Sequence, residues 1–160
     1  MTLTRTRAVA VVTAIVCTAA SASPAGAVIQ VQRGISGIRL GMSPARVKAG
    51  LGKPRKTRTG TNPFGPFTQF LYRGRITVTF QGNANVTAIA IRGNTDKTPS
   101  GVGVGSTEAA VKAGVRGVKC ETIAGSRDCH VGAFTPGKRI TDFLIRNGKV
   151  SRVTVGFVID

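Results

Sequence analysis

The chain matches itself at an offset of 64 residues. Laid without a gap over Ser100–Asp160, the segment Ser36–Asp96 pairs Ser36 with Ser100, Gly37 with Gly101 and Gly41 with Gly105. Val47-Lys48-Ala49-Gly50 falls on Val111-Lys112-Ala113-Gly114, Arg75-Ile76-Thr77 on Arg139-Ile140-Thr141, and Asn83 on Asn147. A fixed period without slippage points to two copies of one supersecondary unit. The expectation is an α+β protein of two tandem helix-plus-antiparallel-sheet repeats, 36–98 and 99–160, packed as one domain behind a lead-in at 28–35.

Each copy carries the same order of local signals. Ser43 is a good helix N-cap, and Pro44 suits the first helical position, where its missing N–H costs nothing. A short helix is expected to about Ala49, with Gly50 at its C-terminal cap. In the second copy Gly105-Ser106-Thr107-Glu108 opens the helix and Gly114 closes it, with Glu108 favourably placed in the first turn. Helices this short are unstable alone and must dock on a sheet. Ile76, Val78 and Phe80 alternate with Thr77 and Thr79, the period-two pattern of a half-buried strand. Phe67–Arg73 and Val86–Ile91 complete a three-stranded meander. Arg127–Phe134, Arg139–Arg146 and Lys149–Ile159 form the second, with Asn147-Gly148 as a strong hairpin signal. Gly52–Pro66 and Arg116–Arg127 read as long loops. Asp142 breaks the match, because its counterpart Val78 reads as buried; an exposed strand position is the simpler explanation, with an edge position or an arginine partner as alternatives.

The first 27 residues read as a secretory leader. Arg5 and Arg7 precede an apolar run from Ala8 to Ala20, too short to span a bilayer, and Ala25-Gly26-Ala27 offers a cleavage site, with Ala20-Ser21-Ala22 as a second choice. Cys17 lies in the apolar run behind Val16, which is not the small residue a lipid-anchored cysteine requires. No later apolar run is long enough to cross a membrane, so the expected location is extracellular or at the cell envelope. Removing the leader leaves 21 basic against six acidic residues, about +15. Such a charge favours polyanions. Export argues against nucleic acid and leaves anionic wall polymers, lipid surfaces and acidic proteins; solubility alone is the competing explanation. Cys120 and Cys129 form an even pair in an oxidising compartment and read as a disulfide, worth roughly 2–3 kcal/mol in the chain-entropy picture. Their spacing, with His130 as the sole histidine, does not suit a metal site.

The run Ile38-Arg39-Leu40-Gly41-Met42-Ser43-Pro44-Ala45-Arg46-Val47, closing on Leu51-Gly52-Lys53-Pro54, resembles the helix motif of the superfamily that includes the β-lactamase inhibitor protein and the SmpA/OmlA-type outer-membrane assembly lipoproteins. The resemblance implies tandem helix-plus-sheet units and a concave sheet that binds a protein partner rather than performing chemistry. The second copy lacks the Met, Leu-Gly and Pro of the motif. The chain also has no Trp and one Tyr, Tyr72, where tight interfaces favour Trp, Tyr and Arg.

The residues do not assemble a catalytic set. His130 beside Cys129 reads as solvent-facing or locally hydrogen-bonded, the cysteines are expected to be paired, and the acids are scattered, with Glu121 and Asp128 flanking the disulfide loop. Gly101-Val102-Gly103-Val104-Gly105 lacks the Lys-Ser/Thr of a phosphate loop. The expectation is a protein that is not an enzyme and uses no cofactor or metal. Two surfaces remain as candidates. One is the outward sheet face, with Arg75, Thr77 and Thr79 in one half and Arg139, Thr141, Arg152 and Thr154 in the other. The second is a basic loop, Lys53, Arg55, Lys56 and Arg58, suited to a polyanion. The function these suggest is non-catalytic binding of a protein partner through the sheet, with electrostatic attachment to an anionic envelope polymer as the alternative.

Overall fold

A computed structural model describes residues 28–159, so residues 1–27, where the sequence predicts a secretory leader, and Asp160 lie outside the described residues. The expectation of two helix-plus-three-stranded-meander repeats does not hold. The protein is mostly β. A small antiparallel sheet, β1 (Ile29–Gln30), β2 (Gly34–Ile35) and β3 (Ile38–Arg39), precedes α1 (Pro44–Leu51). The strands β4 (Lys56–Asn62), β5 (Gly65–Leu71), β6 (Ile76–Gln81) and β7 (Ala88–Ile91) follow. After α2 (Glu108–Gly114) come β8 (Lys119–Ile123), β9 (Ser126–Val131), β10 (Arg139–Arg146) and β11 (Lys149–Phe157). The last eight strands form one antiparallel sheet in the order β4-β5-β6-β7-β11-β10-β9-β8, with β7 and β11 joined at its centre.

The two segments expected to be loops are where the sheet gains its edges. Lys56–Asn62 reads Lys-Thr-Arg-Thr-Gly-Thr-Asn and shows no apolar alternation, because an edge strand with both faces wet has none to show. It pairs along its whole length with β5 through a tight turn at Pro63-Phe64. Lys119–Ile123 does the same on the other edge, pairing with β9. Cys120 lies directly opposite Cys129 there, and the disulfide between them ties the edge strand to the sheet.

One face of the sheet is covered and one is bare. Phe70, Val78, Phe80, Ile89, Ile91, Phe143, Val153 and Val155 point to the covered side, where they pack with Val47 of α1, Val111 of α2 and Ile29, Ile35 and Ile38 of the small sheet. The lead-in is therefore part of the core, with Ile29 and Ile35 fully buried. The Ser43 hydroxyl accepts from the Arg46 N–H and Thr107 from the Ala110 N–H, satisfying orphan donors at both helix starts. Helix α1 runs through Gly50 and ends at Gly52, whose φ of +77° suits glycine and whose N–H reaches the Lys48 carbonyl. Asn147 and Gly148 both adopt positive φ in the β10–β11 hairpin.

The direction of β10 overturns a second expectation. Ungapped matching sets Thr141 on Thr77, an outward residue. Thr141 is instead fully buried on the covered side, as are Phe143 and Ile145, while Ile140, Asp142 and Leu144 alternate to the bare side. Side chains on a strand alternate, so a slip of one residue relative to the self-match turns the whole strand over. A bulge at Ser151, where Leu144 pairs with Arg152 but Ile145 with Val150, lets both Val150 and Val153 face the core. The Ser151 hydroxyl closes it on the Leu144 carbonyl.

Candidate functional site

The bare face is built from cross-strand rows. One row runs Lys56, Leu71, Thr77, Ala90, Thr154, Asp142, His130, Lys119 across all eight strands. Beside it runs Arg58, Gln69, Thr79, Ala88, Gly156. Ala88, Ala90 and Gly156 are small, and they fall where β7 and β11 meet at the sheet centre. The result is an open trough of about 550 Å³ with a floor of alanine and threonine and with Arg58, Arg92 and Arg152 around it. Gln69 Nε2 donates to the Thr79 hydroxyl along the floor. Among the described residues no carboxylate lies within ion-pair distance of those three arginines, and the Arg152 Nε is buried without a hydrogen-bond partner.

Of the sheet-face residues expected from the sequence, the trough gathers Thr77, Thr79, Arg152 and Thr154. It excludes three. Arg75 sits in the turn Arg73–Arg75 ahead of β6 with φ +61°. Thr141 is buried on the covered side, where its hydroxyl accepts from the Gln32 N–H at 2.6 Å. Arg139 stands at the start of β10, opposite Phe157 and 5.8 Å over its ring, away from the trough. The basic loop is not a loop: Lys53 and Arg55 precede β4 and line a separate cavity with Leu51 and Tyr72, whereas Lys56 and Arg58 are strand residues. Arg58, Gln69, Ala88, Ala90 and Arg92 join the site through register, which periodicity in one segment does not reveal.

The opposite half of the bare face holds three carboxyl groups, Glu121, Asp128 and Asp142. Glu121 and Asp128 are direct cross-strand partners, and Asp142 pairs with His130 one row away. Burial, together with the neighbouring Asp128 charge, pushes the Asp142 carboxyl up to about 7; Arg152 opposes the shift. His130 does not face solvent. Its ring is buried against Phe134, centroids 4.5 Å apart, with Nε2 3.5 Å from Glu121 Oε1 and Nδ1 without a hydrogen-bond partner. On the covered side Glu108 takes the Arg127 guanidinium in two hydrogen bonds and the Lys112 ammonium at 2.8 Å, and Arg127 foremost holds its carboxyl down at about 2. Glu108 also lies near Cys120 and Cys129, but the disulfide leaves no thiolate there to bind a metal.

No protein-family model and no curated protein matches the chain. Solved structures similar to it include an extracellular protein containing a SCP domain from Bacillus anthracis str. Ames, with a TM-score of 0.50 and 10% identity over 74% of this chain and 44% of that one. The chain thus spans less than half of that protein's length, and the likeness is one of fold alone. A DUF4309 family protein from Bacillus subtilis subsp. subtilis str. 168 gives a TM-score of 0.43 at 15% identity, over 72% of this chain and 78% of that one. Neither is described as a β-lactamase inhibitor protein or an assembly lipoprotein.

Proposed function

We propose that this is an exported, non-catalytic binding protein that engages a protein partner through the bare face of its eight-stranded sheet. The observation that carries the reading is the trough itself: three arginines that form no ion pair among the described residues, around a floor of threonine and alanine. Arginine is favoured at interface hot spots, and its planar fork matches carboxylates in two parallel hydrogen bonds. An acidic stretch of the partner is the complementary ligand. The covered face is occupied by the helices and the small sheet, so the bare face is the broad surface left for a partner. Export is supported by the leader-like sequence of residues 1–27 and by the extracellular description of the first structural neighbour. No helix among the described residues is long and apolar enough to cross a membrane.

Capture from native envelope and culture-fluid extract on the immobilised oxidised protein tests the reading. One protein should stay bound through a rising salt gradient on the wild type and be lost on the Arg58→Ala/Arg92→Ala/Arg152→Ala variant. Release of anionic polymer alone at modest salt, equally from both, would support electrostatic attachment to the envelope in its place.

A further inference from the structure

A second cluster of cations lies away from the trough, where the turn between β1 and β2 meets the start of β10. Arg33 from that turn, Arg39 from β3 and Arg139 from β10 line one cavity of about 380 Å³ with Gln30 and Leu40. Arg33 and Arg139 also line an adjoining cavity of about 680 Å³, which adds Lys138 and Phe157. The two form one cleft with four cationic side chains. Among the described residues none of the four is in an ion pair, and no acidic residue lines either cavity.

The cleft is held in place by a device of its own. Gln32 takes a φ of +58°, a conformation that costs a non-glycine residue energy and that persists only where its surroundings hold it. In that conformation its N–H donates to the Thr141 hydroxyl and its Nε2 to the Arg139 carbonyl at 2.8 Å. Gly132 completes the seat: a side chain there would collide with the Arg139 carbonyl oxygen and meet the Gln32 Nε2 at 2.7 Å. Gln32 thus clamps the turn that carries Arg33 to the strand that carries Arg139. Arg139 is further steadied over the Phe157 ring. Three guanidiniums from three separate elements line one space, with no carboxylate among the described residues sharing it.

We infer that this cleft binds a phosphate-bearing anion. A carboxylate offers two oxygens in one plane and one negative charge, enough for one guanidinium fork. A phosphoryl group offers oxygens in tetrahedral directions and up to two charges, which suits forks arriving from several elements. The inference is independent of the sheet-face reading, because it uses no trough residue.

Calorimetric titration of the oxidised protein at fixed ionic strength tests it, with inorganic pyrophosphate as the free ligand and a short inorganic polyphosphate as the polymeric one. Saturable binding of one pyrophosphate is expected. It should weaken by roughly tenfold in Arg139→Gln and be lost in Arg33→Gln/Arg39→Gln/Arg139→Gln. All three side chains are exposed, so these variants should keep the wild-type unfolding midpoint. Arg116→Gln, which removes one exposed charge elsewhere, should keep wild-type affinity. Polyphosphate binding more tightly than pyrophosphate, with the same mutational pattern, would assign the site to a polymer; the reverse order would assign it to a free ion. Equal weakening in Arg116→Gln and Arg139→Gln, or equal competition by polyglutamate of the same total charge, would overturn the inference and leave bulk charge as the cause.

Discussion

Arginine in place of Thr141 should unfold the protein, whereas arginine in place of Thr79 should leave it folded. The self-match makes both threonines outward strand residues, but the fold separates them. Thr141 is fully buried, and its hydroxyl satisfies the Gln32 N–H. Arginine there removes that acceptor and forces a guanidinium into a region lined by Val131, Phe143 and the β1–β2 turn. A buried, unpaired charge costs several kcal/mol, comparable with the whole stability of a domain this size, about 5–15 kcal/mol. Thr79 lies in the open trough, where a long cationic side chain reaches water. Urea denaturation of the two variants checks this. Equal tolerance of both would mean that β10 presents the face the self-match implies.

The second large effect concerns Asp142. Its carboxyl, raised from an ordinary 3.8 to about 7, holds a proton in the folded protein that the unfolded chain gives up above about pH 4. The folded state is thus favoured fully below pH 4, and that advantage is lost as pH rises through 7. The whole span corresponds to roughly 3 kcal/mol after allowance for the group's partial exposure. Asparagine at 142 keeps the shape and cannot ionise. The wild type should therefore lose stability steadily from pH 4 to pH 8, and Asp142→Asn should show a much flatter profile and be the more stable of the two at pH 8. Glu108 works in the opposite sense. Its lowered carboxyl favours the folded state above pH 4.5, and that contribution disappears as pH falls toward 2. Denaturant midpoints at intervals from pH 2 to 8 separate the two. Parallel profiles for wild type and Asp142→Asn would remove Asp142 as the cause.

Local signals were legible where a residue's own backbone chemistry decides the structure. Ser43 and Pro44 mark the start of α1, Asn147-Gly148 marks a hairpin, Ile76, Val78 and Phe80 mark a half-buried strand, and Cys120 and Cys129 are joined. What escaped the sequence depends on partners elsewhere in the chain. β4 and β8 are edge strands without an apolar face, so their Thr- and Lys-containing segments look like loops. In β10 the apolar residues run together at Phe143-Leu144-Ile145, which hides the alternation that would have shown its facing. The bulge at Ser151 and the union of β7 with β11 are matters of register, and they decide that Arg152 and Thr154 share a surface with Thr77 and Thr79 while Arg139 and Thr141 do not. The candidate site was therefore half visible: its threonines and one arginine followed from alternation, and its alanine floor and the remaining arginines required the assembled sheet. The arginine cleft at Arg33, Arg39 and Arg139 was hidden for the same reason, since its members belong to three elements.

Photo-crosslinking tests the bare face as the contact surface most directly. The oxidised protein carrying benzoylphenylalanine at position 79, in the trough, would be compared with one carrying it at position 110, an exposed site on α2 on the covered side. Both would be irradiated in native envelope and culture-fluid extract. The expected result is one dominant protein adduct at 79, suppressed by excess unlabelled wild type and absent at 110. The same adduct at 110, or at neither position while capture on the immobilised protein still succeeds, would contradict binding through the bare face.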